Sequence, residues 1–243
     1  SSELSMYFKY LFRRSLCSTA LLCVVCVLCP PPARAAVADD LQFAAALFND
    51  GEYRQALDEF KRLQPALTGA EWEDDVLFWM AECHFHLGEY DQAVELYKKL
   101  AANFPAFSRN EEVHVKLMGA YYSAGRYQSV VEIAENFSRL YPASASNDQV
   151  YLLWIQSALR IKQFTRAEEL LETYQKSSPG SPYVWSLKSI LANFYLKDQR
   201  FDRALPFFEE LYGYQKDLNF LLWVGECRFQ TSAWAGAKEA FEK

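Results

Sequence analysis

The stretch "AECHFHL", residues 81–87, holds the densest set of side chains able to do chemistry in this chain: Glu82, Cys83, His84 and His86. Imidazole, thiolate and carboxylate are the usual zinc ligands, and a stable site needs three or four of them. The spacing decides what they can do. On a strand His84 and His86 would share a face, but on a helix residues two apart point about 200° apart. Glu82 and His86, four apart, do share a helical face, and they supply only two ligands. The expectation is no metal and no cofactor, with His84 inside the helix packing and Cys83 acting as a small apolar residue.

No other catalytic constellation stands out. His114 is the remaining histidine, and neither Gly-x-Ser-x-Gly nor Gly-x-x-x-x-Gly-Lys occurs. Carboxylate runs such as Glu73-Asp74-Asp75 and Glu168-Glu169 read as solvated helix faces. The chain is therefore not expected to be an enzyme. Its formal charge of −6 over 243 residues also excludes a nucleic-acid surface, which needs a basic stripe to neutralise phosphates.

The elements that position these residues repeat. An aromatic recurs at Tyr53, Tyr90, Tyr127, Phe164 and Phe201, each 37 residues after the last. Three residues on comes a small side chain: Ala56, Ala93, Val130, Ala167 and Ala204. Then follow Phe60, Tyr97, Ala134, Leu171 and Phe208, and after them Leu63, Leu100, Phe137, Tyr174 and Leu211. A sixth copy, with Trp234, Ala237 and Phe241, starts 33 residues on. Spacings of three and four place each set on one helical stripe, where the small residue lets a neighbouring helix approach. Pro105, Pro142 and Pro179 end three of these helices, and Gly51, Gly88 and Gly125 mark the turn before them. Thr68-x-x-Glu71, Ser108-x-x-Glu111 and Ser146-x-x-Gln149 have capping-box spacing ahead of a preceding helix, and Ser181 precedes Pro182 at a fourth start. No segment alternates with period two, so the fold class is all-α, a stack of antiparallel helix pairs.

In such a stack "WMAEC" (79–83) and "WVGEC" (223–227) occupy equivalent places four units apart. Helices stacked 8–10 Å apart would separate Cys83 and Cys227 by roughly 30–40 Å, well beyond the ~7 Å between Cα atoms that a disulfide spans. Both are expected as buried thiols.

The first 35 residues are of another kind. Lys9, Arg13 and Arg14 precede an apolar run from Leu16 to Leu28, then three prolines and "ARAAVADD". That order describes a secretory signal, with Ala33 and Ala35 placed for a cut that leaves Ala36 first. The run is shorter than the ~20 residues a membrane span needs. Removing residues 1–35 takes four basic groups and one acidic group, so the remainder carries −9. Cys17, Cys23, Cys26 and Cys29 would leave with the signal; a lipidated Cys29 is the weaker reading, because Leu28 is a bulky neighbour. The mature protein is expected to be periplasmic.

The 37-residue pattern resembles the tetratricopeptide repeat, over about residues 39–243, as a superhelical solenoid of about five and a half units. Extra residues after the closing proline, as in "NFPAFSRNEEVHVK" and "LYPASASNDQVYLL", are similar to the repeats of bacterial envelope proteins such as the Tol-Pal coordinator and the outer-membrane assembly lipoprotein. Repeat stacks need a polar cap at each end, and the sixth unit stops at Lys243 inside its second helix, so a longer natural protein is expected.

The resemblance implies that first helices line a concave groove in which a partner protein or peptide lies. Carried onto this chain, the groove residues are Phe78, Glu82, Phe85 and His86, then Tyr122, then Gln156 and Arg160, then Asn193 and Lys197, then Glu226 and Phe229. Phe78 and Phe85 could equally pack between units, since helix rotation is open at this point. Repeats that grip a C-terminal carboxylate carry a basic residue four before the asparagine; Ser189 stands there, which disfavours that function. The expected role is a non-catalytic scaffold of the bacterial cell envelope binding an envelope protein or peptide, with no nucleic acid and only indirect membrane association. The alternatives are an accessory domain of an envelope enzyme, or a transporter or secretion subunit holding a small apolar ligand.

Overall fold

A computed structural model describes residues 31–69 and 72–242, with side chains from Ala36 onward. The signal-like apolar run and its four cysteines lie outside the described residues. Among those described there are twelve α-helices and no strand. They are α1 (Pro31–Asn49), α2 (Tyr53–Leu67), α3 (Glu73–His86), α4 (Tyr90–Asn103), α5 (Asn110–Ser123), α6 (Tyr127–Leu140), α7 (Asn147–Arg160), α8 (Phe164–Ser177), α9 (Tyr183–Lys197), α10 (Phe201–Gln215), α11 (Leu218–Gln230) and α12 (Trp234–Phe241). None is long and apolar enough to cross a membrane. The helices fall into two compact units, one up to Ala120 and one from Tyr121.

Within each unit successive helices pack on one another: α1 on α2, α2 on α3 and α3 on α4 in the first, and α6 through α12 in order in the second, where α7 also meets α9. The repeated stripe is the reason. Ala56, Phe60 and Leu63 of α2 are buried, as are Ala93, Tyr97 and Leu100 of α4. The same holds for Val130, Ala134 and Phe137, for Ala167, Leu171 and Tyr174, and for Ala204, Phe208 and Leu211. A buried aromatic of this kind contributes roughly 1.5–3 kcal/mol by leaving water, so the second helices are pinned by their stripe.

The turns between paired helices repeat as closely as the stripes do. At Gly88 the N–H bonds to the Phe85 carbonyl and the Glu89 N–H bonds to that of His84, at 3.0 and 2.9 Å, the two bonds of a Schellman motif. The residue at that place has positive φ in every copy: Gly51 (84°), Gly88 (76°) and Gly125 (74°), then Lys162 (61°), Gln199 (57°) and Ser232 (63°). The 37-residue step carries the conformation past the point where glycine stops. Before the closing prolines, Phe104, Tyr141 and Ser178 share one geometry near φ −130° and ψ +60°, outside the helical region that a following proline disfavours.

Of the expected capping boxes, the one at Ser146 is not made. Thr68 Oγ1 donates back to the Gln64 carbonyl at 3.2 Å, and Glu71 lies outside the described residues. Ser146 sits at the N-cap of α7 without a side-chain cap bond, and α5 begins only at Asn110. Asparagine does the tying instead: Asn110 and Asn147 each donate from Nδ2 to the carbonyl of the closing proline five residues back, Pro105 and Pro142. Ser181 accepts the Tyr183 N–H at 3.3 Å, but Pro182 itself is the N-cap of α9 rather than its first turn.

Candidate functional site

The chemistry-bearing cluster on α3 resolves into structural pairs. Glu82 is buried; it accepts a hydrogen bond from the Tyr97 hydroxyl and an ammonium bond from Lys116 at 2.6 Å. A buried carboxylate needs such partners, because desolvation without them costs several kcal/mol. Burial, with the Glu82 charge second, pushes the Tyr97 phenol well above its ordinary range. His84, also buried, meets Glu89 at 2.6 Å through Nδ1, and Arg54 binds the other oxygen of Glu89 at 2.5 Å. Arg54 first and His84 second hold the Glu89 carboxyl below its usual value.

Glu82 and His86 share a helical face but not a site. The Glu82 carboxylate is directed at Tyr97 and Lys116, while His86 is exposed and stacks on Tyr53 at 4.4 Å. Among the described residues no group of three His, Cys, Asp or Glu is placed to hold a metal. Cys83 and Cys227 are both buried free thiols, raised by burial to about 12 and about 11.

The groove candidates divide by exposure. Phe78 has no exposed surface; its ring lies 6.1 Å from Tyr97 and 6.2 Å from Phe107, with the Arg109 guanidinium 3.8 Å away. It belongs to the packing side of the two possibilities the sequence left open, and it offers a partner nothing. Phe85 is half-buried, 5.5 Å from Tyr90. Tyr122 is half-buried against Tyr127 at 5.3 Å, and Glu226 is half-buried and accepts from the Gln230 amide. Phe229 is exposed, edge-on to Trp234 at 4.9 Å.

In the second unit α7 and α9 are neighbours, and they present the same two positions. Gln156 and Arg160 stand one turn apart on α7; Asn193 and Lys197 stand 37 residues later on α9. Arg160, Asn193 and Lys197 are exposed. The Arg160 guanidinium lies 5.3 Å from the Phe194 ring and 5.9 Å from Tyr127, in no ion pair among the described residues. Asn193 does not reach outward as expected: its Nδ2 folds back to the Ser189 carbonyl at 2.8 Å.

Between α8, α9 and α10 there is a cavity of about 410 Å³ whose rim carries Glu168, Glu172, Asp202 and Glu210 beside Lys188 and Arg203. These charges are largely spent on one another, Lys188 on Glu210 and Arg203 on Glu168. Leu171, Pro206 and Phe207 complete a lining of mixed character.

Comparison with known proteins places this geometry. The tetratricopeptide repeat family matches residues 152–217. A putative kinesin light chain from Podosopora anserina with nearly identical TPR-like repeats superposes with a TM-score of 0.59 at 17% identity, covering 74% of this chain and 94% of that one. Residues 152–217 thus match that repeat, and the superposition shows the same fold. MamA superposes with a TM-score of 0.56 at 17% identity (70% of this chain, 88% of that one), and pilF of Pseudomonas aeruginosa with 0.53 at 20% (85% and 89%). Residues 70–157 match the outer membrane lipoprotein family YfiO. No curated protein sequence matches the chain. The described residues are thus all-α, with the fold of those tetratricopeptide-repeat structures.

Proposed function

We propose that the repeat protein is an exported, non-catalytic scaffold of the bacterial cell envelope that binds another envelope protein or peptide in the groove lined by its first helices. The observation that carries this is the second unit's recurrent display: Arg160 on α7 and Lys197 on α9, exposed at equivalent positions and outside any ion pair among the described residues. A chain of net charge −6 that keeps such cations on one repeated face favours a partner segment bearing carboxylates. The match of residues 70–157 to an outer membrane lipoprotein family supports the envelope, and the basic and apolar start of the sequence supports export.

In-cell crosslinking of the tagged chain, followed by mass spectrometry, tests this. The expected result is a dominant envelope protein captured by the wild type and lost from Arg160→Glu/Lys197→Glu. Capture unchanged in that variant refutes the face; a chain retained in the cytoplasm refutes the compartment.

A further inference from the structure

The cations of the second unit gather on one edge. Its described residues, 121–242, carry fourteen acidic and thirteen basic side chains, a net of −1. The four turns between paired helices, residues 123–126, 160–163, 197–200 and 230–233, hold five of those cations and a single acid, Asp198. A hairpin does not require this. The same places in the first unit, residues 49–52 and 86–89, hold Asp50, Glu52 and Glu89 and no lysine or arginine. Nor are these cations spent inside the fold. Arg166, Lys176, Lys188, Arg203 and Arg228 are each held by a carboxylate, whereas Arg160, Lys162, Lys197 and Arg200 are in no ion pair among the described residues. Arg160 lies instead 5.3 Å from the Phe194 ring and Arg200 4.6 Å from that of Phe164, both rings being half-buried.

Spacing along this edge selects a backbone conformation. Arg160 and Lys197 end α7 and α9 at equivalent places, and those two helices pack directly on one another. Packed helices lie about 8–10 Å apart, so the two side chains are rooted about that far from each other. In polyproline II, residues i and i+3 point to the same side and stand about 9 Å apart, three steps of ~3.1 Å. A β-strand turns i and i+3 to opposite faces, and its same-face neighbours stand about 7 or 13 Å apart. Phe194 is one turn before Lys197 and beside Arg160, which puts a half-buried ring next to the cation pair. Aromatic surface of that kind is what proline-rich segments pack on.

We propose that this edge binds an internal segment of a partner protein in polyproline II conformation, an inference that rests on the groove reading above and narrows its partner. Carboxylates at i and i+3 pair with Arg160 and Lys197, and proline or another apolar residue between them covers Phe194. Lys162 and Arg200 extend the positive edge on either side, which favours further acids at the same three-residue step.

A labelled peptide of repeating Glu-Pro-Pro is the probe, titrated with the full chain and followed by fluorescence anisotropy. It should bind saturably with a submillimolar Kd that weakens as salt is raised. An isomer with the same glutamates side by side should bind at least about threefold more weakly, and a Gln-Pro-Pro repeat should not bind. Arg160→Gln and Lys197→Gln should each weaken binding about three- to fivefold, what one exposed ion pair contributes, with the helical circular dichroism unchanged. Lys176→Gln, on α8 and away from the turns, should leave binding intact. Absence of saturable binding up to millimolar peptide overturns the proposal, as does equal binding of the isomer or indifference to both edge variants. Tighter binding of an alanine-rich helix with glutamates seven apart, about 10.5 Å, overturns the conformation. Sedimentation of the chain with phosphatidylglycerol vesicles in place of peptide binding assigns the edge to a lipid surface and overturns the partner class. Cellular capture lost in Arg160→Glu/Lys197→Glu, without a preference for the three-residue step, removes this inference and leaves the groove reading standing. The spaced peptide bound by a chain that captures no envelope protein does the reverse.

Discussion

Replacing Lys162 by glycine should make the repeat protein more stable, because the residue just past a helix end in a left-handed turn is where glycine is favoured. Lys162 holds φ at 61° because the Schellman bonds of its turn, its own N–H to Leu159 and the Gln163 N–H to Ala158, require a left-handed residue there. A side chain in that conformation costs about 1–2 kcal/mol. Glycine removes that cost and adds about 0.4–1 kcal/mol of lost freedom from the unfolded chain, leaving a net gain of ~0.5–1 kcal/mol. The converse sits at Gly88, with φ 76° and no atom within 4 Å of where a Cβ would stand. Gly88→Ala therefore meets no clash, and its cost of ~1 kcal/mol should be backbone strain alone. Urea unfolding followed by circular dichroism measures both, each variant being read against the transition of its own unit. If Lys162→Gly destabilises, or Gly88→Ala is neutral, the turns are not held by the conformation the repeated bonds imply.

Three further outcomes follow from the site geometry. Phe78→Ala should cost about 3–5 kcal/mol as a full core truncation, whereas half-buried Phe85→Ala should cost less than ~1.5 kcal/mol; equal losses in thermal melts would contradict the assignment of Phe78 to the core. Glu82→Ala strips Lys116 and the buried Tyr97 hydroxyl of their acceptor, and should cost about 2–4 kcal/mol, with Tyr97→Phe recovering part of it in a double-mutant cycle. Cys83 and Cys227, held protonated to about pH 12 and 11, should resist a thiol reagent at pH 8 until the chain is unfolded. Because the folded thiols bind their protons more tightly than the unfolded ones, whose pKa is ~8.5, their stabilisation is complete below about pH 8.5 and declines as pH rises toward 11 and 12; rapid native labelling at pH 8 would show both sites to be open.

The second helices were legible because each buries a single stripe, so the positions that repeat every 37 residues are also the ones that packing constrains. Ala204, Phe208 and Leu211 could be placed without coordinates for that reason. The first helices are enclosed on more than one side. On α3, Val76, Leu77, Phe78, Met80, Ala81, Cys83 and His84 are all buried, a run that leaves almost no polar face to report the rotation. Phe78 could not be told from a groove residue on that pattern, and Glu82 reads as a surface carboxylate until Tyr97 and Lys116, 15 and 34 residues away, are brought to it. Local chemistry misled in the loops: Ser146 has the spacing of a cap but makes no cap bond, while Asn147 beside it reaches back to Pro142.

The turns show how far the repeat outweighs local preference. Glycine at positions 51, 88 and 125 announces a left-handed residue, and a reading by residue type stops there. Lys162, Gln199 and Ser232 adopt the same φ because the stripes on either side fix where each second helix must begin. Packing of Ala167 and Leu171, or of Ala204 and Phe208, sets the register of the pair, and the register leaves one residue to make the turn. A cost of about 1–2 kcal/mol in one turn is smaller than what a displaced stripe would forfeit, since each misplaced core side chain is worth about 1.5–3 kcal/mol. Register therefore wins over residue preference.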